Sequence, residues 1–244
     1  MSALHISQLY KHYQLDAVRV PALIDINLDI QPQRFTVLSG PSGSGKTTLL
    51  NLIGCIDKPD SGEIIIAGQQ VGKLGDNALA DFRSRHIGFI FQNFNLLPVL
   101  TAFENIEYPL ILTKMPAAKR KARVAQLLDA VGLSDKARNL PGQLSGGQRQ
   151  RVAIARALAT EPQWVLADEP TANLDSQTGA AIIQLMRRMQ RELKVSFVFS
   201  SHDPQVLAAA DDAVFIRDGQ LQPMPAKTAL GSVDSNNNQQ QVAA

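Results

Sequence analysis

The chain has 244 residues, 45% hydrophobic and 19% charged, with a formal net charge of +2. That length fits one large domain, or a core with an inserted lobe, and the small net charge argues against a nucleic-acid partner. A single cysteine, Cys55, excludes an internal disulfide, and no apolar run reaches the roughly 18–20 residues that cross a bilayer.

The start, Met1-Ser2-Ala3-Leu4-His5, lacks a charged stretch followed by an apolar core, so it does not read as a secretory signal. A cytoplasmic chain is expected, held at any membrane by something else. Alternation in His5-Ile6-Ser7-Gln8-Leu9 and in residues 24–30 predicts antiparallel strands with one wet face. Residues 34–38 form a short run ending in a glycine-rich turn, and residues 46–53 continue as a helix. Cys55, within Leu52-Ile53-Gly54-Cys55-Ile56, reads as a buried small hydrophobe rather than a reactive thiol. A further strand at residues 62–66 follows the Lys58-Pro59-Asp60-Ser61 turn.

From about residue 93 to 160 the pattern is largely helical, with breaks expected at Pro98, Pro109, Pro116 and Pro141. The basic run Lys119-Arg120-Lys121-Ala122-Arg123 reads as a solvated helix face, with contact to anionic lipid head groups as the alternative. Residues 164–167 and 195–199 are nearly continuous apolar runs, as in parallel strands covered on both faces. Residues 214–220 suggest a hairpin with an Asp-Gly turn. The tail at 232–244 is rich in Asn and Gln and nearly free of aliphatics, so disorder is expected there. The outcome is an α/β core with a helical insertion, in one domain over 1–231.

Gly40-Pro41-Ser42-Gly43-Ser44-Gly45-Lys46-Thr47 fits G-x-x-x-x-G-K-[ST] completely. Glycines let backbone N–H groups turn inward around phosphate oxygens, and a helix starting near Gly45 aims its free N–H groups at the same anion. Lys46 reaches the β- and γ-phosphates in such a loop, and Thr47 offers a hydroxyl to Mg²⁺. By chance the pattern arises in about one chain in a hundred. It marks a nucleoside triphosphate site, but kinases, GTPases, motors and transporters all carry one.

Val165-Leu166-Ala167-Asp168-Glu169 sets two carboxylates at the end of a buried strand. Asp168 suits Mg²⁺, and Glu169 suits a general base aimed at water near the γ-phosphorus. Leu144-Ser145-Gly146-Gly147-Gln148 opens a helix expected over residues 148–160. Its N-terminus is a second anion-binding end, although helix capping alone also explains Ser145-Gly146.

These motifs, in this order, closely resemble the ABC ATPase family over roughly residues 4–222. The resemblance implies a P-loop NTPase core with a mixed sheet, an N-terminal antiparallel β subdomain and an inserted α-helical signature subdomain. It implies ATP and Mg²⁺ as ligands, with nucleotide contacts running through Thr48. Gln92 matches the family's glutamine loop, near Mg²⁺ and the attacking water, and Asp175 in Ala172-Asn173-Leu174-Asp175 matches the aspartate across the dimer seam. His202 matches the switch histidine, a residue that alone reads as a surface or capping group. Tyr13 matches the adenine-stacking aromatic, with Tyr10 the competing candidate and Leu23 ten residues further on. The implied catalytic set is Lys46, Gln92, Glu169 and His202, and the implied metal set is Thr47, Gln92 and Asp168. Ser145, Gly146, Gly147 and Gln148 then face the nucleotide of a second copy, in an ATP-state homodimer.

The stretch 87–98 and Thr101-Ala102-Phe103-Glu104-Asn105-Ile106 are similar to the branch containing macrolide and peptide exporters, lipoprotein-release machinery and the cell-division ATPase. That implies a separate transmembrane permease, docked near Phe94, Leu96 and Leu97, and a place on the cytoplasmic face of the inner membrane. The alternative is an ATPase of a membrane-bound cell-division or sensor complex that signals rather than transports.

Overall fold

The computed structural model describes residues 3–16 and 18–223; the tail at 232–244 lies outside them. The chain runs through β1 (Leu4–Leu15), β2 (Val18–Ile30), β3 (Phe35–Ser39), α1 (Lys46–Ile53), β4 (Ser61–Ile66) and β5 (Gln69–Gln70). It continues with α2 (Asp76–His86), β6 (Ile87–Ile90), α3 (Ala102–Leu112), α4 (Ala117–Ala130) and α5 (Gly146–Ala157). Then come β7 (Trp164–Asp168), α6 (Ser176–Leu193), β8 (Ser196–Ser200), α7 (Pro204–Ala208), β9 (Asp212–Arg217) and β10 (Gln220–Gln222).

Two sheets form. An antiparallel sheet has the order β2-β1-β4-β5, as the early alternation predicts, and a mixed sheet has the order β10-β9-β3-β8-β7-β6. In the mixed sheet β6, β7, β8, β3 and β9 run parallel, and only β10 is antiparallel. The Asp-Gly turn predicted there joins β9 to β10, with φ of 50° at Asp218 and 74° at Gly219, the left-handed pair that a tight hairpin needs.

The near-continuous apolar runs have their cause in two separate cores, one on each face of this sheet. Phe35, Val37, Val165, Ala167, Phe197 and Phe199 point to the side covered by α3 to α6. Leu38, Trp164, Leu166 and Val198 point to the side filled by α1, α2 and the antiparallel sheet. Cys55 belongs to the second core, where burial pushes its thiol up to about 12. It is the small hydrophobe its sequence setting predicts.

Two expectations need correction. Pro109 lies inside α3 rather than ending it. The missing N–H removes the single bond to the Asn105 carbonyl, and the helix runs only three residues further. The basic run on α4 is only partly solvated. Arg120 pairs with Glu107 at 3.0 Å, and Arg123 donates to the Leu158 and Ala159 carbonyls that close α5. Lys119 and Lys121 alone stay fully exposed among its charges.

The inserted helices are fixed by caps legible in the sequence. Thr101 and Glu104 form a capping box on α3, and Ser145 and Gln148 form another on α5. Buried Asn105 accepts from Leu97 N at 2.8 Å and donates to the Leu97, Leu100 and Thr101 carbonyls, tying the segment before α3 to that helix.

At Gly88, β6 passes so close to the end of α5 that an added Cβ meets Ala157 O at 2.1 Å. Gly88→Ala is therefore expected to lower stability by about 1–3 kcal/mol. Gly142→Ala, which meets open space, should change it by less than about 0.5 kcal/mol. Chemical denaturation of the two variants measures the difference.

Candidate functional site

The parallel ladder sets the site. In β7 and β8 the register aligns Asp168 with Ser200, and in β6 and β7 it aligns Ile90 with Ala167. Each strand's C-terminal end therefore opens at the same edge, where β3 also releases the chain into Gly40. Gln92 leaves β6 there, Glu169 leaves β7, and His202 leaves β8.

Gly40 has φ 146°, and a Cβ on it would meet Ile216 O at 2.0 Å, so only glycine lets the loop pass β9 this closely. Gly45, at φ 105°, also stands too close to Ala22 O for a side chain, 2.6 Å from a built Cβ. Gly43, at φ 75°, faces open space instead. The result is a concave loop leading into α1. That helix has no side-chain cap and no acidic residue in its first turn, so its N-terminal donors and positive dipole end are left for an anion.

Lys46 is almost fully buried and donates to the Gly40 carbonyl at 2.9 Å and the Pro41 carbonyl at 2.8 Å. An ammonium has three donors, so one remains for a phosphate oxygen. Burial lowers the Lys46 pKa, an effect opposed by the nearby Glu169 and Asp168 charges. Ser44 Oγ, beneath the loop, is buried with no partner among the described residues.

Thr47 Oγ1 donates to both oxygens of Asp168, at 3.2 and 3.4 Å, and the Ser200 hydroxyl donates to Asp168 Oδ1. This hydroxyl–carboxylate set suits Mg²⁺, a hard cation that takes oxygen ligands and keeps few protein ones. Gln92 is exposed just beyond the end of β6, at the same edge of the sheet. Among the described residues no cluster of three His, Cys, Asp or Glu offers a softer alternative.

Glu169 adopts φ 45°, a left-handed backbone that a non-glycine residue rarely takes. Its N–H donates to Ser200 O at 3.0 Å and to Ser200 Oγ at 3.3 Å. Its carboxylate meets His202 Nδ1 at 3.0 Å, with Glu169 mostly buried and His202 exposed. A carboxylate held in this way has one oxygen engaged and one free to accept a proton from water.

Of the two candidate tyrosines, Tyr13 lies nearer the loop. Its hydroxyl donates to Asp57 Oδ2 at 3.1 Å, it contacts Thr48 in the first turn of α1, and its ring remains 38% exposed. Lys11 sits 5.2 Å from the ring centroid and donates to Asp57 Oδ1 at 2.8 Å. Tyr10 pairs with Ser61 within the antiparallel sheet and is half-buried. Leu23 is fully buried against Gly45, so it supports the loop rather than meeting a ligand.

Ser145, Gly146, Gly147 and Gln148 stand apart. Ser145 Oγ accepts from Gln148 N at 3.2 Å and Gln148 Oε1 accepts from Ser145 N at 2.9 Å. The capping reading of Ser145 therefore holds. The Gly146 and Gly147 N–H groups have no acceptor among the described residues, and no hydrogen bond links this turn to Gly40–Thr48. Asp175 caps α6 by accepting from Thr178 N at 2.9 Å; the Thr178 hydroxyl first, and that N–H second, hold its carboxyl below the usual range.

Several participants escape sequence reasoning. Ser200 buttresses both Asp168 and Glu169, which only the strand register reveals. Asn173 donates to Gln92 O and to Asn93 Oδ1, both at 3.0 Å, joining two loops 80 residues apart. Arg156 of α5 donates to the Phe94 and Asn95 carbonyls.

The family model described as ABC transporter matches residues 23–172. An uncharacterized ABC transporter ATP-binding protein of Thermotoga maritima is 45% identical over 219 residues, 90% of this chain and 93% of its own. The macrolide export ATP-binding/permease protein MacB of Syntrophobacter fumaroxidans is 44% identical over 91% of this chain, which spans 32% of that protein. Among solved structures, a dimeric post-hydrolysis ATP-binding cassette from Methanocaldococcus jannaschii, bound to ADP and Pi, has a TM-score of 0.83 at 42% identity. The match covers 90% of this chain and 97% of that one.

Lys46→Ala removes the one donor aimed from α1 across the loop. It is expected to weaken nucleoside triphosphate binding by about tenfold or more, the scale of one charge-assisted hydrogen bond. Titration calorimetry checks this; unchanged affinity in a folded variant counts against the phosphate role.

Proposed function

The chain belongs to the ABC transporter family as an ATP-binding, ATP-hydrolysing cassette, and from that premise we propose that it drives a separate membrane permease by clasping ATP between two copies of itself. The observation that carries this reading is the division of the site. One region holds the loop, the carboxylates and His202. A second region, at the first turn of α5, presents N–H groups without acceptors among the described residues and makes no hydrogen bond to Gly40–Thr48. A donor-lined helix end gains little facing solvent, but far more against a γ-phosphate in a dry seam. The dimeric state of the M. jannaschii cassette supports the same arrangement.

In this reading the loop N–H groups and Lys46 hold the β- and γ-phosphates, and the exposed face of Tyr13 takes the adenine. Thr47, Asp168 and Gln92 would hold Mg²⁺, which would supply positive charge to offset the charge developing on the phosphates. Glu169 accepts the proton of the attacking water, and His202 orients the carboxylate through their shared hydrogen bond. Ser145, Gly146, Gly147 and Gln148 contact the partner copy's nucleotide, with Asp175 at the seam. Loss of the γ-phosphate removes the anion that these donors share, and the copies part.

No helix among the described residues is long and apolar enough to cross a membrane. The proposed location is the cytoplasmic face of the inner membrane, reached through the permease. Docking falls beside the glutamine loop, on a surface where Leu97, Val99, Tyr108, Ile111 and Leu112 are exposed. Phe94 lies under Arg149 and Leu96 packs on the core, so those two support this surface more than they form it. Residues 1–231 act as one domain, and the likeness to macrolide export proteins favours export, lipoprotein release or mechanotransmission as the work performed.

Glu169→Gln keeps every phosphate donor but removes the base. It should bind ATP, lose about 100-fold or more of its turnover, and accumulate an ATP-dependent dimer by size-exclusion chromatography. Wild-type turnover in this variant contradicts the assignment.

A further inference from the structure

The capping box accounts for the first turn of α5, but the next turn carries a residue that neither fold nor mechanism has used. Gln150 is fully buried. Its Nε2 donates to the Pro170 carbonyl at 2.7 Å, while its Oε1 is buried without a partner among the described residues. Packing alone favours an apolar side chain at such a place, since a half-satisfied buried amide costs stability. What the amide adds is a donor, aimed at the carbonyl of Pro170, the residue after Glu169.

Glu169 needs such a clamp. A left-handed non-glycine backbone persists only where its surroundings over-determine it. On the N-terminal side Glu169 N–H is held by Ser200 O and Oγ. On the C-terminal side Glu169 O accepts from Ala172 N–H at 3.2 Å; Pro170 has no N–H to anchor, so its carbonyl is the next handle, and the Gln150 side chain takes it at 2.7 Å. We propose that Gln150 is a positioning residue for Glu169, fixing the carboxylate's direction from the signature helix.

This placement also joins the two regions of the site. A Cβ on Gly147 would lie 2.6 Å from Thr178 Cγ2, and one on Gly146 3.3 Å from Leu174 Cδ2. The first turn of α5 thus rests on the segment leading from Glu169 into α6, and its second turn bonds to that segment's start. A shift of α5 on meeting the partner's nucleotide reaches Glu169 through Gln150.

The inference rests on Glu169 being the base that activates water. Gln150→Met keeps the volume and removes the donor. It is expected to lower kcat roughly 10- to 100-fold, the cost of misplacing a reacting group by a fraction of an ångström to an ångström. The KM for ATP should stay within about twofold, because no ground-state contact is lost. In a Glu169→Gln background the same change should cause no further loss, since Gln150 acts only through Glu169. Should Gln150→Met fail to fold, Gln150→Asn withdraws the donor by one methylene while staying polar, and the same readouts apply.

A kcat within twofold of wild type in a folded variant overturns the proposal, as does an equal further loss in the Glu169→Gln background. The two levels separate cleanly. Wild-type turnover by Glu169→Gln alone removes the base assignment and this inference with it. An inactive Glu169→Gln beside a normal Gln150→Met removes only the inference.

Discussion

The phosphate loop, the two carboxylates, Gln92 and His202 all take their places from the parallel ladder between β6, β7, β8 and β3. Parallel pairing brings the carboxyl ends of strands to one edge, and in open α/β sheets that edge is where ligands bind. Here it gathers a phosphate loop from β3, two carboxylates from β7, a histidine from β8 and a glutamine from β6. A slip of one residue between β7 and β8 would turn Asp168 away from Ser200 and Thr47, because side chains alternate faces. The ladder is held by two cores, and the aromatic cluster Phe35, Phe197 and Phe199 lies in one of them.

The second organising force is the unfinished business of helix ends. The N-terminus of α1 has no cap of its own, and α5 caps itself yet leaves the Gly146 and Gly147 N–H groups without acceptors. Each is a partial positive charge that an anion stabilises. In the proposed arrangement one nucleotide answers the first end within a chain, and another copy's nucleotide answers the second. ATP would then serve as the shared anion of a seam, and its hydrolysis would change how strongly the copies hold together. Gln150 and the glycine contacts of α5 link that seam to Glu169, while Asn173 links the loop before α6 to Gln92.

Much of this was legible in the residues. The phosphate loop, the Asp168-Glu169 pair and the Ser145–Gln148 box are local patterns whose chemistry depends on neighbours in sequence. The Asp218-Gly219 hairpin and the apolar strands followed from the same short-range rules. What escaped depends on distant pairings. Ser200 supports Asp168 only through strand register, and the Lys11–Asp57–Tyr13 cluster joins residues 44 to 46 positions apart. Pro109 misled because a helix tolerates the loss of one bond near its end, and Arg123 because a charged head can turn to a neighbouring helix terminus.

The claim at the centre of this account is that a pocket is completed only by a second copy. Its most direct test is the structure of the Glu169→Gln protein with Mg-ATP and its permease. The account predicts Ser145 within hydrogen-bond reach of the terminal phosphate held by the other copy's Lys46. Ser145 far from every terminal phosphate in that complex would contradict it.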